Sequence, residues 1–405
     1  MPAVKSIEET VSSINWDFPG ALSNYGLHRF HWYPGTFIPQ IPAYLIELFS
    51  QPGDTVYDPF CGVGTTLVEA LRLGRRAIGV DQNFIATHVA AAKTTFFEAA
   101  AIDYYCKAFF ESLQVELHNN GLVKDFSLPV LRATTELENA RLEFQAVSSW
   151  YDERTFKELL LLWLIIQKEE APFRTLLEVT FSSILKRCSS QPKHWGYVAD
   201  NMVPASETRY YVDAIKLFTG TLKEFVAALI RFIDFPQIRG LAIAELNHRA
   251  RVLHADLAIA PPVESCSVDL IVTSPPYVSV TDYTRSQRLS LPWFKQEVDQ
   301  AKLNEVGARW KRARQGAVQD YLREMDVCFE NLTISLKPGK FLCLVVGESK
   351  ERKAKYEIVE ALRSMIIAKG FKTALQPLVR IPSQQRLKNR KGNTNEEYIF
   401  VFLRA

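Results

Sequence analysis

The chain has 405 residues, of which 47% are hydrophobic and 23% are charged. This composition excludes a disordered or fibrous chain, and the length allows a large core with one further unit. The net charge of +3 is only mildly basic, so a nucleic-acid surface must be identified from local clusters of Lys and Arg. The six cysteines are scattered without a CxxC pair, which favours reduced thiols in a cytoplasmic protein.

Three further features disfavour export, a membrane span and a metal site. Residues 1–20 are polar and acidic and lack the apolar core of a signal peptide. The longest apolar run, residues 159–166, is far shorter than the ~20 residues that a membrane helix needs, so it predicts a buried helix. His28 and His31 have no thiolate or acidic partner at ligand spacing, so we expect no metal site. From the short apolar run we expect no membrane partner.

The first predicted element is an aromatic and proline-rich stretch over residues 31–39, which taken alone is a loop that caps a sheet edge. An amphipathic helix over about residues 42–49 and a turn at 51–54 follow. Residues 55–57 then predict a buried strand, which leads through a glycine turn into a helix over residues 67–72.

The glycine turn, DPFCGVGTT at residues 58–66, is the centre of the predicted fold. Gly62 and Gly64 let backbone N–H groups approach a ligand closely, at the positive end of the following helix. A second strand over residues 77–80 ends on Asp81, about 20 residues beyond the glycines, where an acid accepts both hydroxyls of an adenosine ribose. A bare GxG is also an ordinary tight turn, but this spacing predicts a nucleoside cofactor.

Two residues favour S-adenosylmethionine over a nicotinamide dinucleotide. Leu67 occupies the place where a dinucleotide site would prefer a third glycine for close packing of helix on strand. Asp58 stands ahead of the two glycines, at the start of this stretch, and would repel a pyrophosphate. The same carboxylate can receive hydrogen bonds relayed from the cationic amino-acid end of S-adenosylmethionine, which is therefore the predicted cofactor.

From about residue 94 to residue 246 the sequence is helical in period and lacks strand-like alternation. Three stretches with wide apolar faces predict helices over residues 156–167, 173–187 and 210–232. Because such faces need one another, we expect a helical subdomain packed on the core. The predicted division is a first core part, a helical insertion and a second core part, at residues 1–95, 96–246 and 247–405.

The α/β pattern resumes at residues 251–256, a short strand that ends on Asp256. This carboxylate either accepts a hydrogen bond from the adenine amine of a cofactor or caps a turn. The next strand, residues 268–272, runs into the sequence Ser-Pro-Pro-Tyr at 274–277, which we call the tetrad. Ligands bind at the carboxyl ends of strands in open α/β sheets, so the tetrad and the glycine turn should face one crevice.

The remaining core elements follow the tetrad in order. Residues 321–336 predict a helix, residues 337–340 a turn and residues 341–347 a buried strand. Residues 375–381 and 398–403 predict a terminal antiparallel strand pair.

The glycine turn, Asp81 and the tetrad together resemble the motifs of the amino-group DNA methyltransferases, which transfer a methyl group to an exocyclic base nitrogen. The resemblance implies an α/β, Rossmann-like methyltransferase sheet with a terminal antiparallel strand pair, plus a helical insertion. It also implies that Phe37, in a setting similar to the family's "yPgkF", closes over the methionine end of the cofactor. The predicted cofactor-binding residues are Phe37, Asp58, Pro59, Phe60, Gly62, Gly64, Thr65, Thr66, Asp81 and Asp256.

The tetrad suits an exocyclic amine, whose lone pair is delocalised into the ring and must be held by acceptors that favour a tetrahedral nitrogen. The Ser274 hydroxyl and the Pro275 carbonyl are the candidate acceptors, and Pro275 and Pro276 fix the backbone. Tyr277 is the candidate stacking platform for a base extruded from a duplex. Methyl transfer to a cytosine ring carbon is excluded, because it needs a cysteine where Tyr277 stands.

Basic residues interleaved with aromatics follow the tetrad at residues 282–288 and 309–314, and a second basic cluster lies at 386–391. Such runs are often solvated faces, but beside a base-binding crevice they suit contacts with phosphates. The candidate nucleic-acid-binding residues are Tyr283, Arg285, Arg288, Arg309, Lys311, Arg312, Arg314, Arg386, Lys388 and Arg390.

The expected activity is methyl transfer from S-adenosylmethionine to N4 of cytosine in double-stranded DNA, on a flipped base. In the family, cytosine-N4 enzymes usually have Ser first in the tetrad, as at Ser274, whereas adenine-N6 enzymes usually have Asp or Asn. Adenine N6 is the alternative atom, and an RNA base methyltransferase or a non-catalytic nucleic-acid-binding module are the alternative functions. A cognate restriction endonuclease is a candidate partner.

Overall fold

The computed structural model of the chain describes residues 4–119, 135–191, 203–277, 282–298, 305–307, 316–349, 355–381 and 394–405. The strands are β1 (Thr55–Asp58), β2 (Arg76–Asp81), β3 (Ala250–His254), β4 (Val268–Thr273), β5 (Leu336–Ser349), β6 (Phe371–Thr373), β7 (Leu378–Arg380) and β8 (Thr394–Arg404).

The strands form one mixed sheet in the order β3-β2-β1-β4-β5-β8-β6, with β7 also paired to β8. The strands β1 to β5 are parallel to their neighbours, whereas β8 runs antiparallel to β5 and pairs antiparallel with β6 and β7. The predicted fold class, a Rossmann-like sheet with terminal antiparallel strands, is confirmed.

The helices of the described residues are α1 (Val4–Ser13), α2 (Gln40–Phe49), α3 (Thr65–Arg72), α4 (Phe84–Lys93), α5 (Ala99–Asn119), α6 (Thr135–Glu143), α7 (Gln145–Ser148), α8 (Glu153–Ile166), α9 (Phe173–Cys188), α10 (Ala214–Phe232), α11 (Ile243–His248), α12 (Tyr283–Ser286), α13 (Ala317–Thr333) and α14 (Lys355–Ala368). Short 3-10 turns lie at Gly26–Arg29, Ser206–Thr208 and Leu291–Phe294.

Both faces of the sheet are buried, and β5 shows how one strand serves both. Cys343 and Val345 belong to the core that contains α2 and α3, whereas Leu342 and Leu344 belong to the core that contains α13 and α14. This alternation follows from the two-residue period of a strand. The carboxyl ends of β1 to β4 are thereby held at one rigid edge.

The predicted turn at residues 337–340 is wrong as a boundary between elements. These residues lie inside β5, where the pairing with β4 shifts in register between Val268 and Leu270. Gly339 takes a φ of +72° there, so the local turn signal produces an irregularity within the strand instead of ending it.

The described parts of residues 96–246, which we call the helical segment, contain α5 to α11 and no strand. The predicted helices correspond to α8, α9 and α10, and α10 begins at Ala214 because Asp213 caps it by accepting a hydrogen bond from the Lys216 N–H at 2.8 Å. The apolar run 159–166 lies in α8 and is almost entirely buried. None of the described helices is both long and apolar enough to cross a membrane.

Candidate active site

A cavity of about 340 Å³ lies at the carboxyl ends of β1 to β4. Residues 33–37 of the aromatic stretch form one wall, and residues 59–63 and Thr65 of the glycine turn form another. Ser274 and Pro276 of the tetrad line the same space. The glycine turn and the tetrad therefore open onto a single cavity within the size range of small-molecule sites.

A left-handed backbone favours both glycines of the turn, and close packing adds a second constraint at Gly64. Gly62 and Gly64 have φ angles of +48° and +78°, and a Cβ at Gly64 would lie 3.0 Å from the Ala90 Cβ on α4. Leu67, in the place of a third glycine, packs against Gly79 of β2, where a Cβ would lie 2.7 Å from the leucine. The glycine needed for close contact of helix and strand is thus on the strand.

Asp81 stands at the end of β2 and lines the cavity. Its Oδ2 accepts a hydrogen bond from the Gly62 N–H at 2.9 Å, and its Oδ1 accepts one from the Asn83 N–H at 2.8 Å. Burial raises its pKa to about 6, although both backbone bonds favour the charged form. Each oxygen retains a lone pair, so the carboxylate can accept ligand hydroxyls while it holds the turn.

Asp256 follows β3 and also lines the cavity. Its Oδ1 accepts a hydrogen bond from the Ala258 N–H at 2.9 Å, so the residue does cap a turn. The turn-capping role and the predicted contact with a cofactor adenine are compatible, because one carboxylate has acceptor capacity for both.

Asp58 lies behind the cavity wall and is only 1% exposed. The hydroxyls of Thr66 and Thr273 each donate to it at 2.6 Å, and the Phe60 N–H donates at 3.2 Å. Burial raises the pKa of Asp58 to about 6, and the hydrogen bonds from Thr273 and Thr66 oppose that rise. Asp58 therefore joins the glycine turn to the residue that directly precedes the tetrad.

The predicted cofactor residues divide into two groups. Phe37, Pro59, Phe60, Gly62, Thr65, Asp81 and Asp256 line the cavity. Gly64 and Thr66 lie behind it with Asp58. Direct contact of these three with a cofactor stays a prediction, whereas their structural contacts are defined.

The tetrad presents Ser274 and Pro276 to the cavity, whereas Pro275 and Tyr277 do not line it. The Ser274 hydroxyl donates to the Tyr277 hydroxyl at 3.1 Å. The Tyr277 ring packs against Gly347 of β5, where a Cβ would lie 2.3 Å from the ring. Burial raises the pKa of Tyr277, so the phenol is neutral.

Tyr321 on α13 supports the tetrad from behind. Its hydroxyl donates to the Pro276 carbonyl at 2.9 Å, and the side chain is 2% exposed. Burial raises its pKa, so the hydroxyl keeps its proton. The carbonyl of the second proline is therefore engaged with the protein.

Two buried ionisable residues lie near the cavity, and neither belongs to a sequence motif that would predict its place there. Lys93 is 1% exposed and donates to the Val63 carbonyl of the glycine turn at 2.9 Å. Burial lowers its pKa to about 7. Glu305 lines the cavity, and burial raises its pKa to about 7.

Of the predicted nucleic-acid-binding residues, Tyr283 lines the cavity and stacks on Tyr33, with ring centroids 5.8 Å apart. Arg285 is half-buried, and the Arg288 guanidinium lies over the buried Trp150 ring at 5.0 Å. The others lie outside the described residues: Arg309, Lys311, Arg312, Arg314, Arg386, Lys388 and Arg390.

His28 and His31 do not share a site. The His28 Nε2 pairs with Glu69 at 2.8 Å, and the His31 Nε2 lies 2.9 Å from the Ser182 hydroxyl. In the part of the chain that the structure describes, no group of three or more His, Cys, Asp and Glu side chains could hold a metal ion.

Comparison with known proteins gives a family match and distant relatives. Residues 7–91 match the N6_N4_Mtase family model, described as DNA methylase. Type II methyltransferase M.MvaI of Kocuria varians is 25% identical over 293 residues, which cover 69% of this chain and 60% of that protein. Type II methyltransferase M.BsoBI of Geobacillus stearothermophilus is 24% identical over 303 residues, which cover 71% and 56%.

A short stretch also resembles an RNA enzyme. The tRNA (guanine(10)-N2)-dimethyltransferase of Methanothermobacter thermautotrophicus is 39% identical over 51 residues, which cover 12% of this chain and 15% of that protein. The type II matches and the family match support the resemblance to the amino-group DNA methyltransferase family, and S-adenosylmethionine is the cofactor that this resemblance implies. The chain spans 60% and 56% of the length of the two type II relatives.

Proposed function

We propose that the chain is a site-specific DNA methyltransferase that transfers the methyl group of S-adenosylmethionine to the exocyclic N4 of cytosine. The observation that carries the proposal is the single cavity lined by both the glycine turn and the tetrad residues Ser274 and Pro276. A cofactor held at the turn would lie in the same space as an amine held at the tetrad. Such proximity can supply a large part of the rate.

The residues at one end of the cavity fit S-adenosylmethionine. Asp81 and Asp256 offer carboxylates at the ends of adjacent parallel strands, and the absence of a Cβ at Gly62 lets a ligand approach the turn. Phe37 and Phe84 add apolar surface to the cavity wall. The bound cofactor supplies a methyl group that its sulfonium makes electrophilic.

The other end of the cavity fits an amine. Since the Ser274 hydroxyl hydrogen is directed to Tyr277, the oxygen lone pairs remain to accept an N–H of the base. Accepting that hydrogen favours the tetrahedral nitrogen that attacks the methyl group. The Pro276 carbonyl is held by Tyr321, which fixes the tetrad backbone.

A duplex base must leave its stack to enter this cavity. The structure presents the Tyr283 ring to the cavity, while the Tyr277 ring lies outside it. We therefore infer that Tyr283 contributes to base stacking, in addition to the role predicted for Tyr277. A cognate endonuclease and a cytoplasmic location stay predictions.

Two alternatives have specific support. Adenine N6 remains an alternative because the serine rule is a family tendency and the pocket around the ring also sets the choice. An RNA base is an alternative because of the short match to the tRNA methyltransferase.

One experiment separates these functions. The protein is incubated with methyl-deuterated S-adenosylmethionine and with mixed-sequence DNA or RNA, and the digested nucleosides are identified by mass spectrometry. Labelled N4-methyldeoxycytidine is the expected product. N6-methyldeoxyadenosine would refute the base assignment, a methylated ribonucleoside would refute the polymer, and no product from either polymer would favour a binding module.

A matched pair of variants controls for contaminating activity. Ser274→Ala removes the proposed acceptor and should lower kcat by about 10²–10³-fold, as loss of one preorganised polar contact does in other active sites. Ser265→Ala removes an exposed serine hydroxyl that does not line the cavity, and it should leave the rate unchanged. Equal rates for the two variants would exclude Ser274 from the reaction.

A further inference from the structure

Residues 282–298, which we call the roof segment, follow the tetrad in sequence and cover the cavity. Tyr283, Thr284, Leu291 and Gln296 of this segment line the cavity. The Tyr283 and Thr284 N–H groups donate to the Glu305 carboxylate at 2.7 and 3.1 Å. These two hydrogen bonds fix the start of α12, but they do not anchor the rest of the roof segment.

The rest of the roof segment is anchored in the helical segment by Trp293. This side chain is 1% exposed, and its ring centroid lies 4.3 Å from that of Phe144, in a stacked geometry. Phe181 and Trp163 also contribute to this pocket, with ring centroids 4.9 and 5.7 Å from that of Trp293. Because aromatic rings dominate buried contacts, this pocket fixes the roof segment at residues 291–294.

A buried polar chain makes the second anchor. The hydroxyls of Ser290 in the roof segment and Ser182 on α9 are hydrogen-bonded at 2.8 Å. His31 Nδ1–H donates to the Trp32 carbonyl at 2.8 Å, so His31 Nε2 is the acceptor for the Ser182 hydroxyl at 2.9 Å. Burial lowers the pKa of His31 to about 4, which keeps the ring neutral and preserves this arrangement.

Ser182 links two parts of the cavity wall, which are distant from each other in sequence, to the helical segment. His31 lies two residues before the aromatic wall at 33–37, Ser290 directly precedes the lining residue Leu291, and Ser182 itself lies on α9 of the helical segment. Apolar side chains would fill this space with less geometric constraint, whereas a hydrogen-bonded chain permits one arrangement.

We propose that the helical segment positions the roof segment over the tetrad end of the cavity, and that Ser182 is the positioning residue through which it acts. The inference rests on the proposed function, since the roof segment would contact the base that enters the cavity. It gives the helical segment a part in methyl transfer whether or not that segment contacts nucleic acid.

The test compares two neighbouring serines on α9. Ser182→Ala removes the hydroxyl that contacts His31 and Ser290. Ser183→Ala removes a hydroxyl whose hydrogen bond, among the described residues, lies within the helix and goes to the Thr180 carbonyl at 2.7 Å. Hydrogen–deuterium exchange of the intact protein reports directly on the roof segment. We expect roof-segment amides to exchange about tenfold faster in Ser182→Ala and at the wild-type rate in Ser183→Ala.

Methyl-transfer kinetics then separate positioning from loss of folding. Calorimetry with S-adenosylmethionine gives the fraction of folded sites, and kcat/KM for DNA is scaled to that fraction. We expect Ser182→Ala to lower the scaled value about 3–10-fold, the loss expected from one hydrogen bond, and to keep cofactor affinity within about twofold. Ser183→Ala should match the wild type.

Each arm has an outcome that overturns the proposal. Unchanged exchange in Ser182→Ala would show that the polar chain does not hold the roof segment. Faster exchange with an unchanged scaled kcat/KM would show that the chain is only structural. Absence of transfer by the wild-type protein would refute the proposed function instead, and the exchange comparison would still test the anchoring.

Discussion

The bond between Thr273 and Asp58 gives the sharpest stability prediction, because it joins a neutral hydroxyl to a buried carboxyl whose charge depends on pH. Thr273→Val removes that hydroxyl with little change in shape. A hydrogen bond to a charged group contributes about 1.5–3 kcal/mol, whereas one to a neutral group contributes about 0.5–1.5 kcal/mol. The cost of the substitution should therefore follow the ionisation of Asp58.

The sign of the pH dependence follows from the direction of the pKa shift. Burial raises the pKa of Asp58 from 3.8 to about 6, so its contribution to stability is greatest below 3.8 and is lost as pH rises through 6. The Thr273 hydroxyl limits this loss by stabilising the carboxylate. At pH 8 we expect Thr273→Val to cost about 1.5–3 kcal/mol, and at pH 5 about 1 kcal/mol.

Thr180→Val is the matched control. Thr180 is fully buried, and its hydroxyl donates to the neutral Leu176 carbonyl at 2.8 Å. Its removal should cost about 0.5–1.5 kcal/mol at both pH values. The assay is unfolding by urea at pH 5 and pH 8. If the cost of Thr273→Val does not change between these pH values, Asp58 is not the charged partner that the geometry implies.

Three further predictions address the cofactor, a buried lysine and the basic run. Asp81→Ala should weaken S-adenosylmethionine binding by about 1.5–3 kcal/mol, as measured by calorimetry. A variant that binds with wild-type affinity would contradict the predicted ribose contact. Burial lowers the pKa of Lys93 from 10.5 to about 7, so the stability of the fold should rise with pH between these two values. Lys93→Met should flatten that rise, as measured by thermal unfolding at several pH values. An unchanged slope would show that Lys93 is not the group that titrates. Neutralising the basic run Arg309, Lys311, Arg312 and Arg314 should weaken DNA binding and reduce the salt dependence of that binding. An unchanged salt dependence would indicate that this run is only a solvated face.

Local patterns were enough to predict the elements that carry the site. The strand, glycine turn and helix around residues 58–66 correspond to β1 and α3, and Asp81 ends β2 as its spacing predicts. The glycine spacing, the apolar runs and the strand before the tetrad are all read within about 25 residues. Such signals depend on backbone geometry and burial, which neighbouring residues specify.

Local sequence patterns do not predict the orientation of individual side chains. The sequence assigns Asp58 to the cofactor, and the structure adds a hydrogen bond from Thr273, 215 residues away in sequence, that the sequence does not indicate. The tetrad assigns Tyr277 to base stacking, and the structure shows that its ring packs on Gly347 and that Tyr283 lines the cavity. No periodicity within a strand or turn distinguishes these orientations, because the deciding partner lies on another element.

By itself, the sequence determined the class of sheet and the order of its motifs, and it predicted the cofactor and the amine chemistry. Only the tertiary structure decided which residues surround the cavity and what holds them. Ser182 and Ser290 are separated by 108 residues, and Trp293 is buried among rings from the helical segment. The physical reason is that hydrogen bonds and close packing act over a few ångströms in space, so partners from distant parts of the chain meet only once the sheet and helices have assembled.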